Sequence, residues 1–64
     1  MNNQKQNNIL NNARKKGKKV IIFLVSGNKL EGVVEGFDDF VVILMKNGKQ
    51  NMIYKQAIST IIVK

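Results

Sequence analysis

Between residues 20 and 63 the chain holds five β-prone runs, and the breaks between them are only two or three residues long. Connections that short can join only antiparallel neighbours, because a parallel return needs a crossover of about a dozen residues. The runs are Val20–Val25, Lys29–Phe37, Phe40–Lys46, Gln50–Tyr54 and Ile58–Val63. The first, VIIFLV, is apolar throughout, as in a strand covered on both faces. The second alternates with a period of two and is broken by Gly32 and Gly36. Four residues apart, these glycines are expected on one pleat face, where missing side chains let a strand bend sharply. Ser26-Gly27-Asn28 and Asp38-Asp39 are turn signals, and Asn47-Gly48 is the strongest hairpin signal in the chain. Lys55-Gln56-Ala57 leaves room only for a tight turn.

Ahead of the strands, residues 1–5 (MNNQK) carry nothing to pack and are expected to be flexible. From about residue 6 to residue 16 the spacing of Ile9, Leu10 and Ala13 predicts a helix with one narrow apolar face. The surrounding asparagines are poor helix formers, so that face must lie on something apolar. Gly17 suits the position past the helix end, and Arg14, Lys15 and Lys16 suit the macrodipole. Residues 6–64 thus form one domain, mainly β with one N-terminal α-helix. The expected fold is a five-stranded, strongly bent antiparallel open barrel, SH3-like, with the helix over one end.

A 64-residue chain buries only about 60% of the surface it exposes when unfolded, so such a domain needs support. With no cysteine and no histidine, disulfides are excluded and metal ligation falls to four carboxylates. Self-association is the remaining route. The last run, ISTIIV, has no charge until Lys64, and an apolar edge of that kind pairs with another chain. A closed ring is the soluble outcome.

The net charge is +7, from 11 basic and 4 acidic residues, and it points to a polyanionic partner. No stretch approaches the roughly 20 apolar residues that span a bilayer, and the polar start is not a secretion leader, so a cytoplasmic protein without membrane contact is expected. Catalysis is not expected either. The chain has no Walker-type loop or nucleophile elbow, and the adjacent Asp38 and Asp39 point apart in extended chain. No cofactor and no metal are implied.

Phe37-Asp38-Asp39-Phe40 sets two aromatics around two carboxylates at a bend. Such a bend can keep one ring in the core and present the other to a flat ligand. A hairpin corner with two core phenylalanines is the alternative.

These features together resemble the Hfq (bacterial host factor) branch of the Sm-like RNA-binding proteins, from about Gln6 to Val63. The resemblance rests on Arg14-Lys15-Lys16 ending the helix, then on FLVSGNKLEGVVEGFDDFVVIL and MIYKQAIST. Phe37 to Val41 match the first Sm motif and Tyr54 to Ser59 the second. The resemblance implies a homohexameric ring, strand four of one subunit beside strand five of the next. It also implies an RNA chaperone that pairs regulatory RNAs with messenger targets.

Three RNA surfaces are implied with it. On the proximal face, which takes single-stranded uridine-rich ends, Phe40 matches the aromatic that stacks on the base. Lys55 matches the donor to the uracil edge, and Gln6 a helix residue on the same base. Gln56 stands where histidine is usual and Asp39 where glutamine is usual. Gln56 can still bond near a 3′-hydroxyl, whereas an ionised Asp39 only accepts. Uridine binding with weaker affinity or altered selectivity is therefore expected. On the distal face, which takes adenine-rich RNA, Phe23, Gly27, Asn28, Lys29, Leu30, Asn51 and Thr60 match the lining positions. Asn51 and Glu31 replace glutamines there, and Phe23 serves either stacking or core packing. The rim is Asn11, Arg14, Lys15 and Lys16, with lysines in place of some arginines, which keeps charge but loses the planar fork. The chain as given ends with the fifth run, so functions carried by the family's long C-terminal tail are not expected of it.

Two rivals remain at this stage: a monomeric SH3-like basic barrel on double-stranded DNA, and an Sm-like scaffold of a ribonucleoprotein without base preference.

Overall fold

A computed structural model describes residues 3–64. Helix α1 (Asn3–Lys16) is followed by β1 (Lys19–Leu24), β2 (Lys29–Phe37), β3 (Val41–Lys46) and β4 (Lys49–Tyr54). One 3₁₀ turn (Lys55–Ala57) then leads into β5 (Ile58–Val63). The strands form one antiparallel sheet in the order β4-β3-β2-β1-β5, so β4 and β5 are its two edges and the sheet does not close on itself. No helix of the described residues is long and apolar enough to cross a membrane.

The helix ends where its chemistry says it should. Gly17 takes φ +65, the Gly17 N–H donates to the Arg14 carbonyl, and the Lys18 N–H donates to the Ala13 carbonyl. That pair of bonds is a Schellman closure, which satisfies carbonyls the helix leaves open. The start differs from expectation. The helix begins at Asn3, so Asn3–Lys5, expected to be flexible, are its first residues. Once packing anchors a helix, each further residue adds a hydrogen bond without a new nucleus. Residues 1 and 2, part of the same expectation, lie outside the described residues. Leu10 and Ala13 are buried, but Ile9 is 40% exposed, so the inward face is narrower than the expected trio.

The core joins Leu10 and Ala13 to Val20 and Ile22 of β1, Val34 of β2, Val42 and Leu44 of β3, Ile53 of β4 and Ile58 of β5. Every strand therefore contributes alternate residues to one interior. The Asn-Gly hairpin takes φ +52 at Asn47 and +77 at Gly48 between paired Lys46 and Lys49, which is the left-handed geometry a two-residue hairpin requires.

The bend of β2 does not arise from two glycines on one face. Val34 pairs with Leu44 but Gly36 pairs with Ile43, so the register slips by one residue at Glu35. This bulge reverses the alternation: Val34 points inward, and so does Phe37, three residues on. Gly32 has a different role. A Cβ there would sit 2.8 Å from the Met45 carbonyl oxygen, whereas one at Gly36 would meet nothing within 4 Å. Strand β3 begins at Val41 rather than Phe40, because the turn retains Phe40.

Candidate nucleic-acid interface

The turn between β2 and β3 is built by Asp38. Its Oδ1 accepts the N–H groups of Phe40 (2.7 Å) and Val41 (2.9 Å), while its own N–H donates to the Val41 carbonyl at 3.0 Å. These backbone bonds hold the Asp38 carboxyl below its ordinary range. Inside the turn, the two phenylalanines part company. Phe37 packs against the core, and Phe40 is left 75% exposed. Of the two readings open from sequence, this is the one with a single ring presented.

The 3₁₀ turn docks directly on that corner. The Lys55 N–H donates to the Phe40 carbonyl at 2.8 Å, so the second motif fixes the backbone behind the exposed ring. The Lys55 side chain runs inward and is only 3% exposed. Its ammonium donates to Asn7 Oδ1 and lies 5.2 Å from the Phe37 ring centroid. The Arg14 guanidinium lies 5.8 Å from the same centroid and donates to Asn11 Oδ1 at 3.0 Å. One core aromatic thus touches a residue of the expected proximal set and one of the rim. An ammonium carries three donors, so Asn7 leaves Lys55 with donors to spare.

The other proximal positions are looser. Asp39 and Gln56 are exposed on the turns. Gln6 is half-buried, and its Oε1 is the one buried side-chain polar atom without a partner among the described residues. A buried acceptor in that condition favours a donor from outside the chain. Among the described residues, no three His, Cys, Asp or Glu side chains converge as metal ligands would.

The expected distal set falls on the opposite face of β1 from the core. Val20 and Ile22 point inward, so Ile21 and Phe23 point outward, and Phe23 is absent from the core cluster. Lys29 and Thr60 are the cross-strand partners of Phe23 on either side. Gly27 takes φ +97 in the turn that precedes them, and the Asn28 carbonyl accepts the Leu24 N–H. Leu30 pairs with Ile22 and packs partly against the core. Part of Leu30 still lines a groove that brings together Ile21, Lys29, Glu31, Lys46, Asn51 and Lys64. Asn51 therefore reaches Lys29 across the bend of the sheet, far from it in sequence. At the rim, Arg14, Lys15 and Lys16 are all exposed and Asn11 is half-buried.

Sequence reasoning missed Asn7, Phe37 as a seat for cations, and the ion pair between Lys64 and Glu31 at 2.7 Å. No local signal marks them, since each partner is distant along the chain.

Comparison with known proteins follows this geometry closely. A family profile described as Hfq protein matches residues 5–64. The RNA-binding protein Hfq of Clostridium perfringens is 54% identical over 59 residues, covering 92% of this chain and 74% of that one. The RNA-binding protein Hfq of Carboxydothermus hydrogenoformans is 58% identical over 57 residues, covering 89% of this chain and 67% of that one. A crystal structure described as the pleiotropic translational regulator Hfq superposes with a TM-score of 0.87 at 39% identity, covering 100% of this chain and 97% of that one. An Hfq protein from Anabaena superposes at 0.83 with 32% identity, covering 94% and 97%. The open, bent five-stranded sheet with its N-terminal helix is accordingly of the Sm-like kind.

Proposed function

The chain belongs to the Hfq family of RNA-binding proteins, and from that premise we propose that it binds single-stranded uridine-rich RNA at the Phe40 turn and adenine-rich RNA on the Phe23 face. Its task in this reading is to bring regulatory RNAs to their messenger targets in the cytoplasm, as a binding protein without catalysis. The exposed Arg14, Lys15 and Lys16 serve as the rim that attracts RNA electrostatically.

The observation that carries the reading is the exposure of Phe40, a ring 75% open to solvent whose own backbone is pinned by Asp38 and Lys55. A rigidly mounted, open aromatic beside spare cationic donors suits a stacked base, and stacking on an aromatic is worth about 1–3 kcal/mol per base. Gln6 and Lys55 supply an acceptor and donors for the base edge; Gln56 and Asp39 adjust its selectivity.

The working form in this reading is a homohexameric ring. Support comes from the two edge strands, which expose Met52 and Tyr54 on β4 and Ile62 and Val63 on β5. Open edges with exposed apolar residues invite strand pairing between copies. A monomeric barrel that coats duplex DNA would leave both edges bare.

Native mass spectrometry with and without a short oligouridine tests the proposal. A hexamer that takes up oligouridine is expected, with Phe40→Ala retaining the hexamer and losing about tenfold in affinity. A monomer of about 7.2 kDa indifferent to oligouridine would sink it.

A further inference from the structure

The outward face of β1 carries two adjacent cross-strand rows. One runs Lys29, Phe23, Thr60, and the next runs Glu31, Ile21, Ile62. Glu31 is therefore the diagonal neighbour of Phe23 on the same face, about 7–8 Å away by sheet geometry. A base stacked on Phe23 has its edge within reach of that carboxylate.

A lone carboxylate beside a phosphate backbone would only repel it, but Glu31 is not alone. Lys64 Nζ lies 2.7 Å from Glu31 Oε2, and the two side chains are 55% and 32% exposed. Lys29 and Lys46 line the same groove, so it holds three cations against one anion. The hydrogen bond from Lys64 holds the Glu31 carboxyl below its ordinary range, so it is ionised at neutral pH. The bridge uses Oε2, and Oε1 remains to accept another donor. An ionised carboxylate accepts and never donates. Adenine, cytosine and guanine each offer an exocyclic amino group, and a carboxylate is a known acceptor for such a group. Uracil offers two carbonyl oxygens in its place.

We propose that Glu31 is a specificity-determining residue of the Phe23 face: charge-compensated by Lys64, it accepts amino-bearing bases and turns uracil away. This deepens the RNA-binding reading and rests on it. The two faces then differ by design, since the Phe40 turn takes the base that the Phe23 face refuses.

The test uses the full chain carrying Phe40→Ala, which removes the uridine stack on the other face. Binding of labelled oligoadenosine, oligocytidine and oligouridine is followed by fluorescence anisotropy at fixed salt. Adenosine and cytidine are expected to bind about tenfold more tightly than uridine. Adding Glu31→Gln, which supplies a donor without changing shape, lets uridine gain and brings the ratio to within about twofold. Lys64→Ala instead weakens all three alike and preserves the ratio, because the uncovered carboxylate then repels every backbone. An adenosine-to-uridine ratio unmoved by Glu31→Gln overturns the assignment. If the Phe40→Ala chain binds none of the three, the assignment falls together with the whole Phe23 face. Uptake of oligouridine by the unsubstituted chain would then show that the Phe40 reading survives it.

Discussion

The Lys55 ammonium stands 5.2 Å from the centroid of the Phe37 ring, so a buried cation is held by an aromatic face and by the Asn7 amide. No carboxylate lies within bonding distance of Lys55 among the described residues, where Glu31 and Lys64 form the ion pair. The charge of Lys55 is therefore solvated by a ring and an amide and is not cancelled, which leaves it available to an incoming acceptor.

Phe37→Leu tests that arrangement. Leucine keeps most of the apolar burial but removes the π face beneath Lys55 and Arg14. Stability is expected to fall by about 1–2 kcal/mol, combining poorer packing with the missing cation–π attraction. Oligouridine affinity should fall with it, since Lys55 loses its seat. Urea unfolding and anisotropy on one preparation check both halves; a change in stability with unaltered affinity would confine Phe37 to packing.

Asp38 gives a pH prediction whose sign follows from its bonds. Folding lowers its pKa below the ordinary 3.8 through the N–H groups of Phe40 and Val41. The unfolded chain therefore binds more protons in that window, and stability rises with pH there. The contribution is present above about pH 3.8 and is lost as pH falls through the lower folded value. In Asp38→Asn the acid limb of the stability–pH curve should be shallower than in the parent. Unfolding midpoints between about pH 2 and 6 measure this, and parallel acid limbs would remove Asp38 from the account.

Gly32 and Gly36 should respond differently to alanine. At Gly32 the new Cβ meets the Met45 carbonyl oxygen at 2.8 Å, and β2 must move away from β3. Overpacking of that kind costs about 1–3 kcal/mol. At Gly36 there is open space, so Gly36→Ala is expected within about 0.5 kcal/mol of the parent. Denaturant midpoints for the two variants decide it, and equal losses would mean that the bulge, too, depends on glycine.

The rim predicts a salt effect. Replacing Arg14, Lys15 and Lys16 with alanine removes three exposed cations per chain. The slope of log affinity against log salt for a single-stranded RNA should become shallower, by about 0.7 for each phosphate the rim no longer neutralises. An unchanged slope would show that RNA does not reach the rim.

Much of this protein was legible from local pattern. Asn47-Gly48 announced its hairpin because only such residues take positive φ in succession cheaply, and both do. Gly17 closed the helix for the same reason. The period of two through β2 and the continuous VIIFLV run named strands whose bounds moved by a residue at most, because alternation is a property of each strand alone.

What the tertiary structure decided was which side chains meet. The one-residue slip at Glu35 turned Phe37 inward and left Phe40 outside, an outcome that depends on pairing with β3 and not on the motif's own letters. Ile9 looked like core by spacing yet sits 40% exposed, because the sheet offers the helix only a narrow contact. Lys55 found Asn7 48 residues away, and Lys64 reached Glu31 from the far end of β5. Propensity and period act over a few residues, so they set elements and turns. Burial of a cation, the partner of a carboxylate and the ring left open to a base come from contacts that exist only once the sheet has bent.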